Sequence, residues 1–176
     1  MKTIITLYAL VFCLLACRNT SDTQPAQSGA SDSIPESGMD IDTEDAAAWL
    51  TEVIENHLNE DGYPMEDICT SSYYEYKTDA IQVDYDGGLT QAAFKKKWSA
   101  DYDMKYAGIG TGFLISGQDW GKVKVTKCTP KSDGKNGFLV LEVTIEDLDY
   151  KLSYHRDIKI VPVGKAYLID DVMEYD

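Results

Sequence analysis

Residues 138 to 145 alternate between two sets of side chains, one of them wholly aliphatic, and this pattern constrains the fold more than any other feature of the chain. Because successive side chains of a β-strand point to opposite faces of the sheet, the alternation predicts a strand with one face in the core. One solvated face is common in antiparallel sheets. The predicted core set is Leu139, Leu141, Val143 and Ile145.

Clusters of turn residues divide the rest of the C-terminal half into further strands. They lie at 117–120, 131–134, 146–147 and 162–164. We expect Phe113-Leu114-Ile115 to form a strand before the first cluster. The last strand, 166–175, has apolar residues on both faces and should lie mid-sheet or against helices. In the segment 151–161, the predicted core face is Leu152, Tyr154, Arg156, Ile158 and Ile160.

The residues before these strands show helical periodicity. A helix is predicted to begin at Thr43 and to end within 59–62, and a shorter one should follow Gly88 with Thr90 as its cap. Between them, 69–85 is expected to be helical first and then extended. The apolar stripe of the first helix is Ala46, Leu50, Val53, Ile54 and Leu58.

Helices followed by strands predict an α+β fold, in which N-terminal helices pack on one face of a curved antiparallel sheet. Residues 43–176 are long enough for a single domain with one core.

The chain starts with an apolar segment that is too short to cross a bilayer. After Lys2, the run from Ile4 to Leu15 falls short of the roughly 20 residues that a membrane-spanning helix needs. It ends in Leu-Leu-Ala-Cys at 14–17, which resembles the signal of bacterial lipoproteins. That resemblance implies cleavage of residues 1–16 and a lipid on the Cys17 thiol. The alternative is a plain signal peptide that happens to contain a cysteine.

Residues 17–42 are predicted to be a flexible tether, because they are rich in Ser, Asp, Pro and Gly and have few large apolar side chains. We therefore expect the protein in the bacterial cell envelope, on the periplasmic or outer-surface side. The lipid on Cys17 would bind it to the membrane.

The formal net charge of -14 makes the surface strongly acidic. Such a surface repels phosphate groups, so no nucleic-acid partner is predicted. The one dense basic cluster, Lys95 to Lys97, is interpreted as the solvated face of a helix.

Two cysteines remain in the predicted domain, Cys69 and Cys128. An even pair in an exported domain favours a disulfide, which would close a loop of about 60 residues. The alternative is two buried free thiols. A metal site is not expected, because no CxxC motif or paired histidine accompanies them.

The ending GKAYLIDDVMEYD is similar to the last strand of many members of the nuclear transport factor 2-like superfamily. Tyr167, Ile169, Asp170 and Asp171 carry the likeness. The resemblance implies a cone-shaped α+β domain, including a branch of small secreted lipoproteins. Members use the hollow of the cone for small ligands, for catalysis by an Asp/His pair or for protein contacts, so the fold does not select the function.

An enzymatic function would need a positioned base, and His155 with Asp157 is the candidate pair, two residues apart on one strand face beside Ser153. A carboxylate near an imidazole can orient it and stabilise its charged form. Lys151 and Lys159 share that face, which favours an ordinary solvated strand surface instead.

The segment 83–90 resembles part of an EF-hand loop, with Asp84 and Asp86 at two ligand positions. Gln82 and Ala93 stand where the first carboxylate and the bidentate Glu belong, so most of the charge that holds Ca²⁺ is missing. The alternative is an Asx-rich turn that caps the next helix. No cofactor is predicted.

The glycines of GIGTG, 108–112, should permit a bend in the sheet and could open room for a ligand. The many tyrosines could line a pocket or contact surface or simply fill the core.

The function favoured is a membrane-anchored, non-enzymatic domain that binds a small molecule or a protein. The alternatives are a cone-type enzyme that uses His155 and Asp157, and a calcium-dependent interaction module.

Overall fold

The computed structural model describes residues 40–59 and 62–175, and within those ranges it is an α+β domain. Helices come first and one open antiparallel sheet follows, with its four strands in chain order. The helices are α1 (Thr43–Asn59), α2 (Met65–Ile68), α3 (Ser71–Ile81) and α4 (Gln91–Trp98), followed by a 3₁₀ turn at Met104–Tyr106. The strands are β1 (Val123–Pro130), β2 (Leu139–Asp147), β3 (Leu152–Val163) and β4 (Ala166–Glu174).

The alternation in β2 correctly predicts which face is buried. Leu139, Leu141, Val143 and Ile145 are fully buried, and the residues between them are half-exposed. On β3, Tyr154, Arg156, Ile158 and Ile160 are buried as predicted, but Leu152 is 51% exposed. Leu152 begins its strand at the β2–β3 hairpin, at the end of the sheet.

Helix α1 packs on β1, and α3 packs on β4. The two ends of the Asn59 side chain fasten α1 to the sheet: its Oδ1 accepts a hydrogen bond from Val123 N at 2.7 Å and its Nδ2 donates to Val123 O at 2.8 Å. The stripe predicted for α1 is buried: Ala46, Leu50, Val53, Ile54 and Leu58.

The packed domain begins slightly before the predicted boundary at Thr43. Asp42 caps α1, since its Oδ1 accepts hydrogen bonds from the backbone N–H groups of Glu44 and Asp45 at 3.0 and 3.1 Å. Ile41 is buried and packs beside Gly134. Ile41 and Asp42 therefore belong to the domain and not to a tether. The predicted signal peptide and residues 17–39 of the predicted tether lie outside the described residues.

Two sequence-based expectations about the backbone differ from the structure. The chain after α3 forms turns rather than an extended piece, and Phe113 to Ile115 is a buried loop rather than a strand. Of the two positions predicted for the last strand, the mid-sheet one does not hold, because β4 is at the edge of the sheet. Its second apolar face is explained by the other predicted option, because α2 and α3 pack against it.

Candidate functional site

His155 and Asp157 lie on the same face of β3, but separate partners hold them. Asp157 is buried, and its Oδ2 accepts hydrogen bonds from Lys131 Nζ at 2.6 Å and from the Tyr175 hydroxyl at 2.5 Å. His155 is exposed, and its Nδ1 lies 3.3 Å from Thr144 Oγ1. An acid that orients a catalytic histidine must hydrogen-bond to its imidazole. The structure does not join this pair in that way.

Asp84 and Asp86 lie in the exposed turn between α3 and α4. Asp84 has a positive φ of 62°, and its Oδ1 accepts a hydrogen bond from Gln91 N at 3.3 Å, at the start of α4. This contact is the one expected of an Asx-rich turn before a helix. Among the described residues, no group of three or more His, Cys, Asp and Glu side chains is arranged to hold a metal ion.

The predicted disulfide between Cys69 and Cys128 is not present, because the two cysteines lie at opposite edges of the sheet. Cys69 forms an isolated bridge to Ile169 beside β4, whereas Cys128 lies on β1 and pairs with Val143. Neighbouring strands are about 4.8 Å apart, and a disulfide needs Cα atoms within about 7 Å. Both thiols are free, and burial raises the pKa of each. Cys17, the predicted lipidation site, lies outside the described residues.

The residues that resemble the nuclear transport factor 2-like ending bind β4 to its surroundings. The Tyr167 hydroxyl donates to Asp45 Oδ2 at 3.0 Å. Asp170 accepts from Thr70 Oγ1 at 3.0 Å and from Lys159 Nζ at 2.7 Å. Burial raises the pKa of Asp171 from 3.8 to about 6. In this chain, residues 167–171 therefore stabilise the packing of the edge strand β4.

Of the two readings of the α3 tyrosines, pocket lining or core packing, the structure supports core packing for Tyr73 and Tyr76. Tyr73 and Tyr76 are buried, and Tyr76 stacks on Tyr102 with ring centroids 4.0 Å apart. The Tyr73 hydroxyl is buried without a hydrogen-bond partner. His57 of α1 is half-buried and has structural contacts: its Nδ1 lies 2.7 Å from Tyr63 O, and its ring forms a T-shaped pair with Phe113.

A buried ion pair between Lys77 of α3 and Glu174 of β4 forms the base of a different site. Lys77 Nζ contacts Glu174 Oε1 directly and lies 3.3 and 3.4 Å from the carbonyl oxygens of Gly108 and Ala107. Both charged side chains are almost completely buried. Burial lowers the pKa of Lys77, and the nearby Glu174 opposes that decrease. Buried charges are stable only when paired and hydrogen-bonded, and these two are.

The glycine-rich segment 108–112 covers this ion pair. Thr111 Oγ1 lies 2.7 Å from Gly108 O and 3.0 Å from Glu174 Oε2, so it joins the loop to the carboxylate. Gly108 has a φ of 54°, and a Cβ there would overlap the Glu174 carboxyl group. The loop can approach the carboxylate only because residue 108 is glycine.

Beside this loop is a cleft of about 450 Å³ that is open to solvent on one side. Glu174, Thr111 and Ser116 supply its polar wall, and Met104 and Ile109 supply apolar surface. We call it the Glu174 cleft. Its size is within the usual range of small-molecule sites, about 300–1,000 Å³.

Arg156 adds a second buried cation behind the cleft. Its Nε donates to Leu114 O at 3.0 Å, and one terminal nitrogen donates to Ser116 Oγ at 3.0 Å. Arg156 pairs in register with Glu174 across β3 and β4. The Leu114 backbone has a φ of 69°, a conformation that is costly for a branched residue and is often found near binding sites. Arg156 thus holds the far wall of the cleft in place.

Sequence reasoning did not identify Lys77 and Glu174 as site residues, although a signal was present. Lys77 lies in the same buried stripe of α3 as Tyr73, Tyr76 and Ala80, at helical spacing. Glu174 follows Val172 at strand spacing on the buried face of β4. A lysine on one apolar face and a glutamate on another are candidates for a buried ion pair. Only the fold shows that the two faces meet.

Comparison with known proteins gives no match, either to a family model or to a curated protein or solved structure. Within residues 40–59 and 62–175, no helix has the length and apolar character needed to cross a membrane.

Proposed function

We propose that this chain is a lipid-anchored protein of the bacterial cell envelope whose α+β domain binds a small molecule in the Glu174 cleft. The anchor is the lipid on Cys17, and the domain is of the cone-shaped, nuclear transport factor 2-like type. Binding, rather than catalysis, is the activity proposed.

The element order supports the cone-shaped type. A long first helix and shorter helices precede a meander of four antiparallel strands. The resembling residues 167–171 lie on the last strand of that meander. Irregularities in β1 and β4 are of the kind that bend and twist a sheet, as a cone requires.

The Glu174 cleft is the single observation that carries the binding function. Lys77, Arg156 and Glu174 are buried charged residues, and stability alone does not require such charges, because well-packed apolar residues are often as stable in their place. Here these charges lie behind a cleft together with two hydroxyl side chains, Thr111 and Ser116. Convergent polar groups in a concave site are typical of small-molecule binding.

A thermal-shift screen of polar metabolites tests this function. Every structural contact described above lies between Ile41 and Tyr175, so a chain that starts at residue 18 keeps all of them. A ligand that binds only the native state should raise its Tm. The shift should be lost in Thr111→Val, which removes a cleft hydroxyl, and kept in Thr129→Val, an exposed position on β1. If no compound shifts the Tm, or if both variants respond alike, the proposal is wrong.

Membrane attachment is tested separately. In cells that express the full-length chain, labelled fatty acid should be incorporated into the protein, and the protein should fractionate with membranes. Cys17→Ser should abolish both, and Cys13→Ser, within the same apolar segment, should abolish neither. Unmodified Cys17 in the wild-type protein would contradict the lipoprotein assignment.

A further inference from the structure

An apolar groove adjoins the Glu174 cleft. Phe94 and Ala92 of α4 line it, together with Met104 and Ile109, and its volume is about 440 Å³. Met104 and Ile109 also line the Glu174 cleft, so the two depressions share a wall. A single ligand could therefore lie across an apolar end and a polar end.

Two lysines lie along this double site. Lys95 of α4 lines the apolar groove, and Lys105 lines the Glu174 cleft. Both are exposed, and Lys105 Nζ lies 3.0 Å from the Tyr106 hydroxyl. In a chain with a net charge of -14, a site bordered by lysines differs from the average surface.

The nearby carboxylates have partners of their own, although Asp103 contributes, after the Tyr106 hydroxyl, to raising the pKa of Lys105. Glu174 is already paired with Lys77. Asp103 caps the 3₁₀ turn, where its Oδ1 accepts a hydrogen bond from Lys105 N at 3.0 Å. Lys97, two residues after Lys95, is held by Glu75 and Asp79, each at 2.7 Å. Lys95 and Lys105 are thus the cations placed to meet a ligand.

We infer that the ligand is an amphipathic anion. This inference rests on the proposed binding function and names the ligand class of the same site. The apolar body of the ligand lies in the groove against Ile109 and Met104, and its carboxylate lies at the mouth, between Lys95 and Lys105. Medium-chain carboxylic acids have this chemistry.

Isothermal titration of the chain from residue 18 with decanoate, below its micelle concentration, tests the inference. Decanoate should bind, and decyltrimethylammonium, which has the same chain length and the opposite charge, should bind at least tenfold more weakly. Between octanoate and decanoate the affinity should rise by up to about fourfold per methylene group, as expected for burial of a CH₂.

Charge variants locate the head group. Lys95→Gln and Lys105→Gln should each weaken decanoate binding by up to about fivefold, the upper end of the range for one solvent-accessible charge contact. Lys96→Gln removes the same charge from an exposed neighbour that does not line the groove, and it should leave the affinity unchanged. Ile109→Ser should weaken binding, whereas Val163→Ser, at another exposed apolar position, should not.

The outcomes separate this inference from the proposed function. The inference that the ligand is an amphipathic anion is wrong if decyltrimethylammonium binds as tightly as decanoate. It is also wrong if Lys96→Gln and Lys95→Gln weaken decanoate binding equally. If decanoate does not bind but a polar metabolite gives a Thr111-dependent Tm shift, the inference is wrong and the proposed function stands. If neither class binds, both are wrong.

Discussion

Two lysine–glutamate pairs on opposite faces of the sheet have similar chemistry and different surroundings. Lys77 and Glu174 are paired on the core side, with both side chains almost fully buried. Lys127 and Glu142 are paired on the outer face at 2.6 Å, and each side chain is 45% exposed. Water solvates both charges of the outer pair whether or not the pair forms. In the inner pair, water cannot replace either charge if its partner is removed. The inner pair therefore restricts the structure around the Glu174 cleft, and the outer pair restricts little.

Removal of one cation from each pair should give the largest difference. Lys77→Met leaves the Glu174 carboxylate buried without its cation and should lower the free energy of unfolding by about 3–5 kcal/mol. Lys127→Met should lower it by less than about 1 kcal/mol. Urea unfolding followed by circular dichroism measures both. Similar losses in the two variants would contradict the contrast between the faces.

The loop above the inner pair should be almost as sensitive. Gly108→Ala places a Cβ on the Glu174 carboxylate in a left-handed backbone conformation, and it should cost about 2–4 kcal/mol of unfolding free energy. Gly110→Ala is the matched control: its φ is 74°, but a Cβ there meets open space. That control should show only the conformational cost, about 1–2 kcal/mol. Urea midpoints that do not separate the two variants would refute the close contact between loop and carboxylate.

Asp171 should make stability depend on pH. Its pKa is raised from 3.8 to about 6 by burial, so the native state holds a proton that the unfolded chain releases. The stabilisation from this group is complete below about pH 4 and is lost as the pH rises through about 6. Asp171→Asn cannot ionise and should be more stable than the wild type at pH 7.5 by about 3 kcal/mol, an advantage that disappears at pH 4.

The control for this prediction is Asp86→Asn, in the exposed turn before α4. It should leave the pH dependence unchanged. The unfolding midpoints of the wild type, Asp171→Asn and Asp86→Asn are measured between pH 4 and pH 7.5. An Asp171→Asn protein that keeps the wild-type pH dependence would show that folding does not raise the pKa of Asp171.

Two tyrosine hydroxyls, one on each side of the sheet, should give the smallest effects and opposite signs. The Tyr73 hydroxyl is buried without a partner, so Tyr73→Phe should raise the free energy of unfolding by about 1 kcal/mol. The Tyr175 hydroxyl donates to Asp157, so Tyr175→Phe should lower it by about 0.5–1.5 kcal/mol. Thermal melts can compare them directly. A loss in Tyr73→Phe would mean that its hydroxyl is satisfied in solution.

The periodic segments could be predicted from the sequence, and the loops could not. Alternation identified the buried face of β2, and helical spacing identified the stripe of α1. Both patterns depend on neighbours along one element. Leu152 and Phe113 to Ile115 were assigned incorrectly because local hydrophobicity does not show where a sheet ends or whether a buried segment is paired. The order β1-β2-β3-β4, which places β4 at an edge, involves contacts that no single segment records.

The candidate site shows the same limit. Proximity in sequence suggests His155 and Asp157 as a pair, but their side chains have separate partners in the structure. Cys69 and Cys128 were paired by counting, and the sheet holds them at opposite edges. Lys77 and Glu174, 97 positions apart, were not considered together. Spacing along the chain is informative only while the contacts are local.

The sequence by itself determined most of the long helices and strands, the apolar face of most of them, and the strongly acidic surface. These properties follow from the order of side chains within a few turns or residues. The tertiary structure alone decided that a lysine from α3 and a glutamate from β4 share one buried position beneath a glycine loop. Their meeting depends on how α3 packs against the edge strand, and the energy of a buried charge depends on that packing more than on the residue itself.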